Sequence, residues 1–252
     1  MPDFLNIAAY RFVPLADCPE LQERLRQNAQ SRGLKGTVLL AEEGINLFLA
    51  GVATEVEGFL ADLCSDARFA GLTVKRSRSA ELPFRKLLVK IKREIIRMDH
   101  PTIRPADGRA PAVDARTLSR WLDAGCDDEG RPVVMLDTRN GFEVDEGAFD
   151  NAIDWRLTRF SEFPAAVQQH RGDFAGKTVV SYCTGGIRCE KAAIYMREAG
   201  IEHVWQLEGG ILQYFEDTGG RHYHGNCFVF DERRTLDDTL SAQPEGQHKL
   251  PE

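Results

Sequence analysis

Thr178-Val179-Val180-Ser181-Tyr182-Cys183-Thr184-Gly185-Gly186-Ile187-Arg188-Cys189-Glu190-Lys191 is an apolar run that ends on a thiol, turns through two glycines and enters a helical pattern at once. The β-branched and aromatic residues at 178–182, closed off by Gly185 and Gly186, read as a buried strand. Residues 188–199 read as a helix that Gly200 stops. The same alternation recurs on either side. A helix is expected over 115–124, carrying Leu118, Trp121 and Leu122, and a continuous apolar strand over 132–136 ends on Asp137-Thr138-Arg139-Asn140. A helix over 161–170, a strand over 203–207 and a helix after Glu208-Gly209-Gly210-Ile211 complete the pattern. Strands that alternate with helices form βαβ units and a parallel sheet. Ligand sites in such sheets lie beyond the carboxyl ends of strands, which is where Cys183 falls.

A thiol is a nucleophile only when ionised, and a free cysteine, with a pKa of about 8.5, is mostly neutral at pH 7. Thr184, Gly185 and Gly186 can wrap a tight loop whose backbone N–H groups face the sulfur, because glycine accepts the positive φ angles such a nest requires. The helix that follows adds its positive dipole end, and Arg188 adds a charge. Cys183 is therefore the candidate nucleophile, with Thr184, Gly185, Gly186, Ile187 and Arg188 as its loop. Cys189 lies inside the helix, as a packing residue or as a secondary thiol. Glu190 and Lys191 either brace the loop through local salt bridges or form first-turn helix surface.

The first hundred residues have a different grammar. A strand is expected over 4–12 and a helix over 18–30, with Leu21, Leu25 and Ala29 on one face and Asp17 as its cap. Strands over 37–40 and 45–49 form a hairpin that turns through Glu42-Glu43-Gly44. A second helix over 54–63 and a strand over 72–76 give the order β-α-β-β-α-β, a ferredoxin-like sandwich, extended by a strand over 87–96. The hairpin lacks the aromatic signature of RNA-recognition motifs. Pro101, Pro105 and Pro111, with Gly108 between them, mark an extended linker. The expected organisation is a ferredoxin-like α+β domain at 1–100, a linker at 101–113, a parallel-sheet α/β domain at 114–225 and a C-terminal extension with a polar tail at 226–252.

Composition narrows the function classes. Of the 252 residues 42% are hydrophobic and 28% charged, the balance of a globular protein rather than a disordered one. The six cysteines are scattered, with no C-x-x-C pair, which points to free thiols rather than a disulfide framework or a zinc site. His222, His224 and Cys227 are assigned to a packed strand and its turn rather than to a metal. No facial iron triad or dinucleotide-binding glycine motif is recognisable, so no metal or organic cofactor is identified. Asp3 stands where a signal peptide would be basic, and no apolar stretch approaches the roughly 20 residues that span a bilayer, so a cytoplasmic location without a membrane partner is expected. The sequence sets no oligomeric state.

Charge is uneven. Residues 75–104 hold ten Lys and Arg against three acidic side chains, a net of +7 within a chain whose total is −7. Such a block can form a surface for an anionic ligand. Within it Arg85, Lys86, Lys90, Lys92 and Arg93 are the candidates for phosphate contacts.

The loop "YCTGGIRCEKAA" resembles the active-site loop of rhodanese-like domains, and "LDTRNGFEVDEGAF" and "LEGGILQY" resemble other parts of the same domain. Four residues separate Cys183 from Arg188, the spacing of sulfurtransferase-type loops, whereas cysteine phosphatases have five. With "GTVLLAEEGINLFLAG", "PFRKLLVKIKREII" and "GNCFVFDERR", the chain is similar from about residue 7 to 233 to the bacterial tRNA uridine hydroxylases. Many of that family continue into a cysteine-rich region, where this chain has the polar "SAQPEGQHKLPE". The resemblance implies 5-hydroxylation of the wobble uridine in the tRNA anticodon loop, with molecular oxygen as co-substrate and Cys183 as the active cysteine. Two other readings stay open: a sulfurtransferase carrying a persulfide on Cys183, and a non-catalytic module that binds RNA or a protein partner.

Overall fold

In β1 (Phe4–Phe12) side chains alternate between two faces, as the pleat of a strand requires. Leu5, Ile7 and Ala9 enter a core with Ile45, Leu47 and Leu49 of β3 (Gly44–Val52) and with Val38 and Leu40 of β2 (Lys35–Ala41). The computed structural model, which describes residues 3–242, closes that core with α1 (Cys18–Ser31) and α2 (Ala53–Cys64). Leu21, Leu25 and Ala29 come from one helix, Val56, Phe59 and Leu63 from the other. With β4 (Val74–Ser79) and β5 (Leu87–Ile91) the sheet order is β4-β1-β3-β2-β5, the expected ferredoxin-like sandwich with its added strand. Its helix-free face carries Ala8, Tyr10, Phe12, Leu39 and Phe48 toward the second half of the chain.

Local differences from the sequence reading have side-chain causes. Asp17 precedes α1 but does not cap it, because Arg68 holds its carboxylate at 3.0 Å. The strand expected over 87–96 leaves the sheet after Ile91, where carboxylates take over the backbone donors. Ile95 N–H donates to Glu43 (2.7 Å), and Met98 and Asp99 N–H donate to Glu94. The Pro-rich stretch 101–113 is not a free spacer. Met98, Ile103 and Ala110 are buried with Leu136, Phe163, Val179 and Ala192, and Ala112–Val113 forms β6.

The second sheet runs β6-β10-β9-β7, all parallel, with β7 at Val133–Asp137, β9 at Thr178–Tyr182 and β10 at Val204–Leu207. Val179 packs toward α5 (Phe163–His170) and α6 (Ile187–Glu198), while Val180 packs toward α3 (Ala115–Ala124) and α7 (Gly210–Thr218). Burial on both faces explains why β9 reads as an unbroken apolar run. Short pieces fill the periphery. After α4 (Gly141–Val144), β8 (Gly147–Phe149) pairs with β11 (Tyr223–Gly225), and β12 (Cys227–Phe228) pairs with β13 (Thr235–Leu236). His222 pairs with Asp123, His224 with Asp150, and Cys227 is buried in β12. Among the described residues no group of three or more metal-ligating side chains occurs, and no helix is long and apolar enough to cross a membrane.

The halves are joined through the first turn of α6. Ile187 packs on Ala41 and Ile95, with Tyr10 and Phe12 beside them. Lys191, 1% exposed, donates to Glu43 and Glu94 (3.0 and 2.6 Å) and to the Ile96 carbonyl (2.9 Å). Glu190, buried rather than on the surface, accepts from Arg109 (2.9 Å), Tyr10 (3.2 Å) and Gln206 (3.2 Å). Removing one partner of a buried ion pair leaves the other uncompensated. Lys191→Ala is therefore expected to lower unfolding stability by about 2 kcal/mol in a urea titration. A loss below about 0.5 kcal/mol would class the cluster with solvated surface pairs.

Candidate active site

Cys183 follows the last residue of β9, and its side chain is fully buried at the floor of a cleft. Gly186 N–H donates to the Cys183 sulfur at 3.2 Å. That geometry needs φ near +99° at Gly186, a conformation that glycine adopts without strain. A side chain there would also meet the Tyr10 hydroxyl, 2.9 Å from the position of its first carbon. The start of α7 docks against the same loop, with Ile211 N–H on the Cys183 carbonyl (3.0 Å) and Leu212 N–H on that of Thr184 (3.1 Å). Gly210 makes this approach possible, since a Cβ would lie 2.4 Å from the Cys183 carbonyl oxygen. The second glycine of "LEGGILQY" thus serves the thiol loop.

Burial alone would push the Cys183 thiol up. A hydrogen bond from Cys189, the charge of Arg188 and the Arg188 and Gly186 backbone N–H groups outweigh it and bring the pKa down to about 6. Cys189 moves well above the ordinary thiol range, through burial and its hydrogen bond to Cys183. The Cys189 sulfur itself lies beside the Thr138 hydroxyl, at 3.8 Å. Cys227 is pushed up to about 12 by burial.

Arg188 does not act as an isolated charge. Its guanidinium grips Glu143 of α4 through two bonds of 2.6 and 2.7 Å, both side chains being buried. Glu143 also accepts from Asn140 N–H (3.0 Å). A second buried pair, Asp137 with Arg139, ties the end of β7 to the Gly147 carbonyl. Nothing in the spacing of "LDTRNGFEVDEGAF" marks Glu143. Only its place in the fold, facing a loop arginine, shows it. Arg188 Nε is buried without a hydrogen-bond partner, and Arg188 and Asn140 both line the cleft.

The cleft is about 780 Å³ and lies between the thiol loop and the helix-free face of the first sheet. Phe48 of the hairpin faces it. Eight basic side chains line the cleft against three acidic ones. Lys75, Arg76 and Arg97 come from the basic block; Arg11, Arg109 and Arg233 are among the rest. Arg85, Lys86, Lys90, Lys92 and Arg93 do not line it; they lie exposed on and around the edge strand β5, where Arg85 bonds Glu232 (2.6 Å) and Arg93 lies 3.6 Å from Asp99. The segment Cys227–Arg233 forms a strap across the cleft. Thr184 Oγ1 donates to the Phe228 carbonyl (3.3 Å), Glu232 N–H to that of Pro83 (3.1 Å), and Arg233 to Ser77 Oγ (2.7 Å).

Residues 114–217 match the family described as rhodanese-like domain, and residues 4–95 match that described as UPF0176 acylphosphatase like domain. An acylphosphatase-like sandwich followed by a rhodanese-like parallel α/β domain is therefore the architecture. The chain is 68% identical over 243 residues to the tRNA uridine(34) hydroxylase of Variovorax paradoxus, a match spanning 96% of this chain and 92% of the relative. It is 63% identical to that of Delftia acidovorans (97% and 93%) and 65% identical to that of Bordetella pertussis (96% and 100%). The chain belongs to the tRNA uridine(34) hydroxylase family.

A thiol whose folded pKa lies below its unfolded value stabilises the fold fully above the unfolded pKa, and that contribution is lost as pH falls through the folded pKa. The parent is therefore expected to gain stability relative to Cys183→Ala between about pH 6 and about pH 8.5. The check is a series of urea unfolding curves across that range. Parallel pH profiles for the two proteins would contradict an ionised Cys183.

Proposed function

We propose that this protein hydroxylates uridine 34 of tRNA to 5-hydroxyuridine, with Cys183 as the reacting thiolate and molecular oxygen as co-substrate. The observation that carries the reading is a buried cysteine with a depressed pKa at the floor of a cationic cleft, in a chain closely related over nearly its whole length to proteins named for this modification. Uracil C5 is a poor nucleophile until a group adds at C6. Attack of the Cys183 thiolate on C6 turns C4 and C5 into an enolate, and C5 then attacks oxygen. Loss of the C5 proton and of the thiolate restores the aromatic base and frees the enzyme. Two electrons and two protons from a thiol reductant carry the second oxygen atom to water.

Arg188 Nε, a donor left without a partner in a residue that lines the cleft, supports a base with a carbonyl edge such as uracil. A uracil edge offers O4 as acceptor and N3–H as donor. An anticodon loop presents its wobble base unpaired, so less unstacking is required than for a duplex base. Arg85, Lys86, Lys90, Lys92 and Arg93, exposed beside the cleft, extend a cationic track for the tRNA backbone. An oxygen-incorporating oxidoreductase of this kind acts in the cytoplasm, where tRNA resides and thiols stay reduced.

In cells lacking the gene, wild-type chain is expected to restore a tRNA nucleoside one oxygen heavier than uridine, read by mass analysis of digested tRNA. Cys183→Ser is expected to restore none while remaining folded and able to bind tRNA. Restoration of a sulfur-bearing nucleoside would favour the persulfide reading. Full oxygenation by Cys183→Ser would remove the thiolate from the mechanism.

A further inference from the structure

Most phenylalanines of this protein are buried or half-buried; Phe149, Phe160, Phe163 and Phe174, for example, are at most 5% exposed. Phe142 and Phe230 are 49% and 53% exposed. They are not scattered. Phe142 meets Phe228 edge to face at 5.2 Å, and Phe228 meets Phe230 in the same way at 5.2 Å. The three rings form one ladder whose outer members are half open to solvent.

Two rings of the ladder are attached to the machinery around the thiol. Phe142 sits on α4, whose Glu143 grips Arg188 of the thiol loop. Phe228 belongs to the strap, and its carbonyl accepts from Thr184, the residue after Cys183. Phe230, further along the strap, lines the cleft itself. The charge around it is cationic, eight basic side chains against three acidic. An aromatic row beside a cationic groove is how proteins hold single-stranded nucleic acid, bases stacked on rings and phosphates in the groove.

We propose that Phe142, Phe228 and Phe230 form a stacking rail for the unpaired nucleobases that adjoin the target uridine. The "CFVFDERR" segment then has two functions: its polar residues anchor it to the first domain, and its phenylalanines take RNA. The inference rests on the reading of the cleft as an RNA site, and it identifies residues that hold the loop rather than the reacting base. Stacking is sequence-tolerant because every base has a π-face, so the rail positions the loop without choosing the tRNA.

The test uses the full chain and two synthetic RNAs, an anticodon stem–loop with uridine at the wobble position and its duplex stem alone. The variant Phe142→Leu/Phe230→Leu keeps apolar bulk, so the fold is preserved, but removes both outer π-faces. Stem–loop affinity is expected to fall about five-fold or more. Duplex affinity and the salt dependence of both RNAs are expected to stay unchanged, and Phe142→Tyr/Phe230→Tyr to bind as the parent does. Unchanged stem–loop affinity in the leucine variant would overturn the proposal and assign the ladder to an apolar protein partner. An equal loss for the duplex, or an equal loss in the tyrosine variant, would also overturn it. A parent that binds the stem–loop through these rings yet hydroxylates no uridine would refute the proposed reaction and leave the rail standing.

Discussion

The positive φ of Gly186 starts α6 directly beneath the Cys183 sulfur, and the rest of the site follows from that placement. A helix begun there points its first free N–H groups at the thiol. Its first turn then uses every side chain. Ile187 packs against the first domain and Arg188 reaches Glu143. Cys189 helps hold the Cys183 thiol below its ordinary pKa, Glu190 takes Tyr10 and Arg109, and Lys191 takes Glu43 and Glu94. One helical turn therefore sets the electrostatics of the thiol and fixes the opposite wall of the cleft.

The buried ion pairs are better understood as positioning devices than as sources of stability. Desolvating two charges costs about as much as their attraction returns, so a pair such as Arg188 with Glu143 gains little over apolar packing. What it fixes is direction. The carboxylate holds the guanidinium by two Nη donors and leaves Nε unpartnered in a residue that lines the cleft. It also moderates the charge that reaches Cys183, so the thiolate depends on backbone N–H groups and Cys189 as well as on arginine.

Most of the fold was legible because its long elements carry clean periodicities. The β9 run, the α1 stripe of Leu21, Leu25 and Ala29, and the 42–44 turn all have local causes. Strands of two or three residues, such as β6, β12 and β13, have too few positions to show a period and exist only through tertiary pairing. The thiol loop was legible for the same reason as the strands, since strand end, glycines and helix start are consecutive. Residues distant in the chain were not. Tyr10 lies 180 positions from Glu190 and Glu143 lies 45 from Arg188, and no spacing rule links them. The strap was visible as a motif, but its path across the cleft depends on contacts with Ser77 and Pro83.

The claim on which everything else stands is that Cys183, fully buried at the floor of the cleft, is ionised at neutral pH. Ultraviolet titration of thiolate absorbance in the full chain, with Cys183→Ala subtracted as the blank, measures this directly. A midpoint near 6 is expected. A midpoint at or above the free-thiol value of about 8.5 would mean that burial wins over the loop, and the thiolate mechanism would fail.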